Sequence, residues 1–123
     1  MQIYVLIACD RLEDKQEKKL KQNLPDIILA LQTYAESLPQ AKVVVINDTN
    51  SDDCEDWQLG IEQSVKKSKQ LQVPVNMFND LAKKFSIDME VGSIKGKSRE
   101  AVSYFGNEEG RGDSFMIAQY LDL

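Results

Sequence analysis

The sequence contains no histidine, and this absence removes whole classes of chemistry. Ser-His-Asp and Cys-His nucleophile activation both need an imidazole, which is also the commonest general base near neutral pH. The chain has only two cysteines, Cys9 and Cys54, so cysteine and histidine cannot complete a tetrahedral zinc site. Any catalysis would therefore depend on carboxylates with magnesium, or on lysine, serine or tyrosine.

The sequence also has no long apolar run and no linker-like segment, and we expect no secretory leader. The apolar residues 3–9 have no basic region before them, and no stretch reaches the length that a bilayer span requires. The two cysteines form no CxxC pair and Cys9 lies in a strand-like segment, which predicts reduced thiols and a cytoplasmic location. Residues 1–123 contain no internal repeat and are predicted to form a single domain.

Positive charge is the minority charge, with 15 Lys and Arg against 20 Asp and Glu and a formal net charge of −5. A nucleic-acid-binding surface needs dense Lys and Arg, so this balance argues against a nucleic-acid partner. An acidic surface favours solubility and attraction to a basic protein. The sequence predicts no membrane partner, and it carries no signal for the oligomeric state.

The hydrophobic pattern predicts an α/β fold. Residues 2–9 and 42–47 are continuous β-branched and aliphatic runs, which are typical of strands buried on both faces. The segment between them is predicted to be helical, with an interruption at Pro25. Its charged residues 11–24 fit either a solvated helix or a mobile lobe, and the helix is the favoured interpretation. The first strand, this helix and the second strand are therefore expected to form a parallel β-α-β unit.

Later residues predict further elements by the same kind of spacing. They are helices at 53–72 and 75–85, a hairpin of strands at 88–94 and 98–106, and a last helix at 113–121 capped by Asp113 or Ser114. The predicted order is β-α-β-α-α-β-β-α, in a layered sandwich with a mixed sheet of about four strands. Four aromatic residues fall on predicted apolar faces and are expected in the core: Trp57, Phe78, Phe85 and Phe115.

The most acidic segment holds five carboxylates in nine residues, from Asp48 to Asp56. Most of them are explained by the start of the predicted helix at 53–72. Asp52 or Asp53 would cap that helix, and Glu55 and Asp56 would lie at the positive end of its dipole.

Asp48 is the residue that this helix does not explain. It follows the second predicted strand closely, as Asp10 follows the first. If the two strands are parallel neighbours, both carboxylates lie at the sheet edge where open α/β folds bind ligands. Asp10, Asp48 and Asp52 are therefore the candidate ligands of Mg²⁺ in the alternative interpretation, a magnesium-dependent phosphoryl-transfer enzyme or nuclease.

Two short segments partly match the sequence motifs of a calcium-binding loop and a phosphate-binding loop. Each lacks residues that its motif requires. In a calcium loop that starts at Asp48, Asp53 stands where glycine is needed and Leu59 where the closing glutamate is needed. Residues 91–98 end like a phosphate-binding loop, but the first glycine, Gly92, is one residue too close to the second. Neither segment supports a prediction of function.

The loop at residues 106–112 combines three glycines with charged side chains, and such loops often carry binding residues on a rigid scaffold. The leading prediction is a small soluble acidic protein-protein binding module that needs no cofactor. An inhibitor or antidote of a basic, nuclease-like toxin is its sharpest version, because acidic surfaces speed association with basic partners. The predicted partner-binding residues are Asp48, Asp52, Asp53, Glu108, Glu109 and Arg111.

Overall fold

The computed structural model describes residues 1–47 and 54–123, which form five strands and three α-helices. In chain order these elements are β1 (Gln2–Ile7), α1 (Asp14–Ser37), β2 (Ala41–Ile46), β3 (Gln58–Ser64), α2 (Gln72–Phe85), β4 (Met89–Lys95), β5 (Ser98–Phe105) and α3 (Ser114–Tyr120). Short 3-10 helices at Cys9–Arg11 and Ser68–Leu71 precede α1 and α2. The described chain is thus an α/β domain, as predicted.

The sheet has the strand order β2-β3-β1-β4-β5, and every neighbouring pair is antiparallel. The prediction of a four-stranded mixed sheet with β1 and β2 as parallel neighbours is therefore wrong. The two strands do run in the same direction, but β3 lies between them. The segment from β1 to β4 has the arrangement of a split β-α-β motif, and β5 extends the sheet next to β4.

The helix predicted at 53–72 is also wrong, because β3 occupies its middle. Alternate residues of β3 such as Leu59 and Ile61 are buried on one face, so the spacing that looked helical is satisfied by a strand. Gly60 permits a close approach of β3 to β1, since a Cβ atom there would lie 1.9 Å from the carbonyl oxygen of Val5. The observed element order is β-α-β-β-α-β-β-α.

Helix α1 is continuous over 24 residues and keeps Pro25 in its interior, where an interruption was predicted. The two halves share one buried stripe, Leu20, Ile27, Leu31 and Tyr34, and this common packing outweighs the lost hydrogen bond at the proline. The charged first half is a solvated helix, as predicted, and a capping box between Glu13 and Gln16 begins it.

The C-terminal hairpin and helix are confirmed. Strands β4 and β5 are joined by a turn in which Gly96 has a φ of +62°. Asp113 caps α3, with its Oδ1 accepting from the backbone N–H of Phe115 at 2.8 Å and of Met116 at 3.4 Å.

The core lies between the helices and one face of the sheet. Ile3, Val5 and Ile7 of β1 point into it, together with residues of α1 and α2 such as Leu31 and Phe78. The opposite face, called the open face below, carries the alternate residues of the strands. No helix among the described residues is both long and apolar enough to cross a membrane.

Candidate functional site

The strand directions gather acidic residues at one end of the sheet. This end, called the acidic end, is where β1 and β5 finish and where β3 and β4 begin. The carboxylates at or next to it include Asp10, Glu13, Asp14, Glu55, Asp56, Asp88, Glu90, Glu108, Glu109 and Asp113, and the basic residues there include Arg11, Lys15, Lys83, Lys84 and Arg111. The opposite end, called the basic end, carries Lys42, Lys66, Lys67, Lys69, Lys95 and Lys97, together with the carboxylates of Glu36 and Glu100.

Three of the predicted partner-binding residues, Glu108, Glu109 and Arg111, lie exposed on the loop between β5 and α3. Asp88 anchors this loop through two hydrogen bonds. Its Oδ1 accepts from the backbone N–H of Asn107 at 2.8 Å and of Glu109 at 3.2 Å. The loop therefore keeps its shape through contacts of its backbone, while Glu108 and Arg111 stay exposed and Glu109 forms an ion pair with Arg11.

Asn79 of α2 fixes the other side of the same loop. Its Oδ1 accepts from the Gly112 N–H at 2.7 Å, and its Nδ2 donates to the Gly112 carbonyl oxygen at 3.0 Å. Asn79 is buried, so both of its polar groups are satisfied by this one residue of the loop. The sequence offered no sign of this anchor, because the two residues are 33 positions apart.

The other residues named in the sequence analysis do not lie on this loop. Asp48, Asp52 and Asp53 lie outside the described residues, so their predicted capping, partner-binding and metal-binding roles stay predictions. Glu55 and Asp56, which were assigned to the first turn of a helix, lie instead in a turn that leads into β3. That correction follows from the replacement of the predicted helix by a strand.

Asp10 is exposed at the acidic end, but the geometry of the sheet does not bring the ends of β1 and β2 together. Because β3 intervenes, the two strand axes are separated by two interstrand spacings, about 10 Å. Among the described residues no group of three Asp, Glu, Cys or His side chains is arranged to hold a metal ion. The prediction combined Asp10 with Asp48 on the assumption that β1 and β2 are neighbours in the sheet. The two strands are not neighbours, because β3 lies between them.

Arg11 links the acidic end to the loop. Its guanidinium lies 3.5 Å from the ring centroid of Tyr104, and its Nη1 forms a 2.9 Å ion pair with Oε1 of Glu109. Both charged side chains are more than two-fifths exposed, so the ion pair orients the groups more than it stabilises the fold. Sequence reasoning missed Arg11 and Tyr104, which only the fold brings together.

Glu90 lies on the open face near the acidic end, and its carboxylate accepts hydrogen bonds from two tyrosine hydroxyl groups. Tyr4 donates to its Oε2 at 2.7 Å and Tyr104 donates to its Oε1 at 3.1 Å. Burial, followed by this donation to a carboxylate, raises the pKa of Tyr4 well above its ordinary value, and the same causes raise the pKa of Tyr104. The Glu90 carboxylate is therefore held in one orientation.

Arg99 braces the same face from β5. It donates to Gln58 at 2.5 Å and to Glu62 at 2.6 Å, and it lies 5.4 Å from the ring centroid of Tyr4. Its charge is thus already paired within the domain.

A pocket of about 310 Å³, called the acidic pocket, opens where this face meets the acidic end. Its lining combines four carboxylates with one arginine and an apolar floor: Asp10, Glu55, Asp56, Glu90, Arg99, Leu6 and Trp57 among others. Since Arg99 is engaged by Glu62, the pocket offers an excess of negative charge to a cationic group.

A second concavity of about 200 Å³, called the α3 cleft, lies on the far side of Tyr104. It is formed by β5, the loop and α3, and its lining includes Tyr104, Glu109, Arg111, Met116 and Tyr120. Two of the predicted partner-binding residues, Glu109 and Arg111, therefore meet aromatic and methionine side chains there.

The outer surface of α3 is unusually apolar. Phe115 is 70% exposed, Tyr120 52% and Met116 45%. The prediction that Phe115 belongs to the core is wrong, whereas Trp57 and the two other aromatics are buried as predicted. The helix has apolar residues on all sides, and only the side with Ile117 packs inward.

A further cavity of about 600 Å³ is a groove between α1 and α2. Leu29 and Met77 contribute to its apolar lining, and Asp26, Asp80 and Lys84 add charge. It contains none of the predicted site residues.

Comparisons with protein-family models, with curated proteins and with solved structures found no match for this chain.

Proposed function

We propose that the protein is a small protein-protein binding module that receives a basic partner at the α3 cleft and the neighbouring acidic end. The observation that carries the proposal is the exposure of Met116 and Tyr120 in the α3 cleft, beside the charged loop. Aromatic residues, methionine and arginine are the residue types enriched in protein interfaces.

The α3 cleft has the anatomy expected of an interface centre. Met116 and Tyr120 are one helical turn apart and share one side of α3, and Arg111 and Glu109 lie at the rim of the same cleft. Apolar anchors surrounded by polar groups that exclude water are typical of binding hot spots. An apolar side chain of the partner would fill the cleft.

The acidic end supplies the preference for a basic partner. Glu109 lines the α3 cleft together with Tyr104, and Glu108 precedes it on the exposed loop, whereas Asp10, Glu55 and Asp56 line the acidic pocket. A partner with a basic segment next to an apolar anchor would contact both concavities at once. Charge complementarity of this kind accelerates encounter and rejects acidic competitors. The most specific form of this proposal is an inhibitor or antidote of a basic enzyme.

The proposal is tested by affinity capture from an extract of the source cells, followed by a binding measurement on each purified candidate. The wild type should retain a protein with a basic surface, and the double variant Met116→Ser/Tyr120→Ser should lose it. Truncating a central anchor costs about 2 kcal/mol or more, which is about a thirty-fold loss of affinity. Glu108→Lys/Glu109→Lys should slow association and reduce its dependence on salt.

Leu29→Ser is the matched control, because Leu29 is 61% exposed but lies in the groove between α1 and α2. It should leave the affinity unchanged. Equal retention of the same proteins by the wild type and the Met116→Ser/Tyr120→Ser variant would contradict the proposal. So would partners that are acidic, or binding that is indifferent to ionic strength.

A further inference from the structure

The two edges of the sheet are protected to different degrees. In β5 the residue Val102 has no partner in β4, so the strand carries a bulge, and Arg99 and Glu100 add charge near its start. Bulges and charged residues are devices by which proteins keep an edge strand from pairing with another chain. The β5 edge is therefore protected.

The outer edge of β2 is less protected, because it has no bulge and only one charged residue. Its residues pair one for one with β3 from Ala41 to Ile46 without a register shift, and Lys42 is its only charge. Residues 43–45 are half-buried and Ile46 is 57% exposed, although Val5 in the central strand is fully buried. No described strand pairs with this outer edge. An edge without a bulge, largely apolar and unpaired, is a template for another strand.

The backbone groups of β2 face the correct way for such pairing. The Ser64 N–H donates to the Gln40 carbonyl oxygen at 3.2 Å, which places the even-numbered positions of β2 in hydrogen-bonded pairs with β3. Because these pairs alternate along an antiparallel ladder, the N–H and C=O groups of Val43 and Val45 point away from β3. They are the groups that an added strand would bond.

We infer that two copies of the chain pair through β2, antiparallel and about a two-fold axis at Val44, so that the two five-stranded sheets become continuous. In this register Val43 of each copy lies opposite Val45 of the other in a hydrogen-bonded pair, and Val44 lies opposite itself. Odd-numbered residues of one copy thus lie opposite odd-numbered residues of the other. Because opposite side chains point to the same face of the sheet, the helical layers of both copies lie on the same side of the joined sheet. The contact is self-complementary, as a two-fold interface requires.

The side chains agree with this register. β-branched residues directly opposite one another are favourable cross-strand pairs. Ile46 lies opposite Lys42 of the other copy, whose aliphatic stem would cover the exposed isoleucine while its ammonium group stays in water. The two Lys42 residues are four positions apart along the strands, about 14 Å, which exceeds the screening length of about 8 Å at physiological salt.

The charge distribution favours a second copy as the occupant of this edge. The antiparallel arrangement brings the acidic end of each copy to the same side of the assembly as the basic end of the other. The opposite, parallel arrangement would place the two acidic ends together. The segregated charges of one chain are thus complemented by those of its copy, which orients the pair in the antiparallel sense.

The test is the oligomeric state measured by sedimentation velocity over a concentration series. The wild type should show a concentration-dependent species of twice the 14.0 kDa chain mass. Val44→Lys should be monomeric, because the substitution places two ammonium groups opposite each other on the axis, and Val44→Glu should be monomeric for the same reason. An equimolar mixture of the two variants should form a heterodimer, since the axis then pairs opposite charges.

Val44→Thr is the matched control, because it keeps the β-branched shape without a charge and should remain dimeric. Circular dichroism verifies that all the variants are folded. A wild type that is monomeric at every concentration, charged variants that remain dimeric, or a mixture that fails to associate would each overturn the inference. The α3 cleft lies at the other edge of the sheet, so the outcome is independent of the proposed function.

Discussion

Removing the hydroxyl group of Tyr4 should destabilise the domain measurably. Tyr4 is 1% exposed, and its hydroxyl donates to the Glu90 carboxylate at 2.7 Å. A hydrogen bond to a charged acceptor contributes about 1.5–3 kcal/mol. Glu90 is only half-buried and keeps its bond from Tyr104, so the loss in Tyr4→Phe should be near the lower bound, about 1.5 kcal/mol.

Tyr104→Phe is the internal comparison for this value. Its hydrogen bond to the same carboxylate is longer, 3.1 Å, and the residue is more exposed than Tyr4, so water can replace the lost donor. The ring that contacts Arg11 also remains in the variant. We expect a cost of about 0.5 kcal/mol or less.

Urea denaturation followed by far-ultraviolet circular dichroism gives the free energy of unfolding of each variant. For a chain of this length, the Tyr4→Phe cost corresponds to a decrease in Tm of about 5–7 °C. A Tyr4→Phe variant as stable as the wild type would refute the view that Glu90 is held chiefly by the buried tyrosine. A Tyr104→Phe variant that loses as much as Tyr4→Phe would refute it equally.

Three further outcomes are expected. Burial raises the pKa of Cys9 from 9.0 to about 12, with smaller contributions from nearby acidic groups, and burial raises that of Tyr34 from 10.0 to about 12. Above about pH 9 these two groups bind fewer protons in the unfolded chain than in the folded one, so their contribution to stability should be constant below that pH and be lost progressively up to about pH 12, with a smaller loss in Tyr34→Phe than in the wild type. Asn79→Ala removes both hydrogen bonds to the loop at residues 106–112, so amide hydrogen exchange of that loop should accelerate; unchanged exchange would contradict the assigned anchor. Addition of Mg²⁺ should leave Tm unchanged, and a shift that disappears in Asp10→Asn would instead revive the interpretation based on Asp10 and Asp48.

The parts of the fold that local rules determine were predictable from the sequence. The hairpin turn at Gly96 and the cap at Asp113 depend on residues within a few positions of each other, and both are observed. Strand β3 was missed because Trp57, Ile61 and Val65 satisfy a helical spacing as well as a strand spacing. Pairing with β1 and β2 decides between the two, and that pairing joins residues far apart in the chain.

The candidate site was predictable only in its exposed charges. Glu108, Glu109 and Arg111 lie on a glycine-containing loop, and such loops are recognisable without a structure. The contact between Arg11 and Tyr104 spans most of the chain and has no local signal. Phe115 was assigned to the core because an apolar residue on an apolar helix gives no indication of which side faces the sheet.

The only tryptophan of the chain, Trp57, gives the acidic pocket an optical reporter of its own. The indole lies among Asp10, Glu55 and Asp56 and is 7% exposed, so its emission responds to whatever enters or leaves that pocket. A docking event at this end of the sheet can be followed by intrinsic fluorescence at protein concentrations far below those of calorimetry, without a label. The residue that directly follows the acidic segment in the sequence is thus the one from which occupancy of the acidic pocket can be observed.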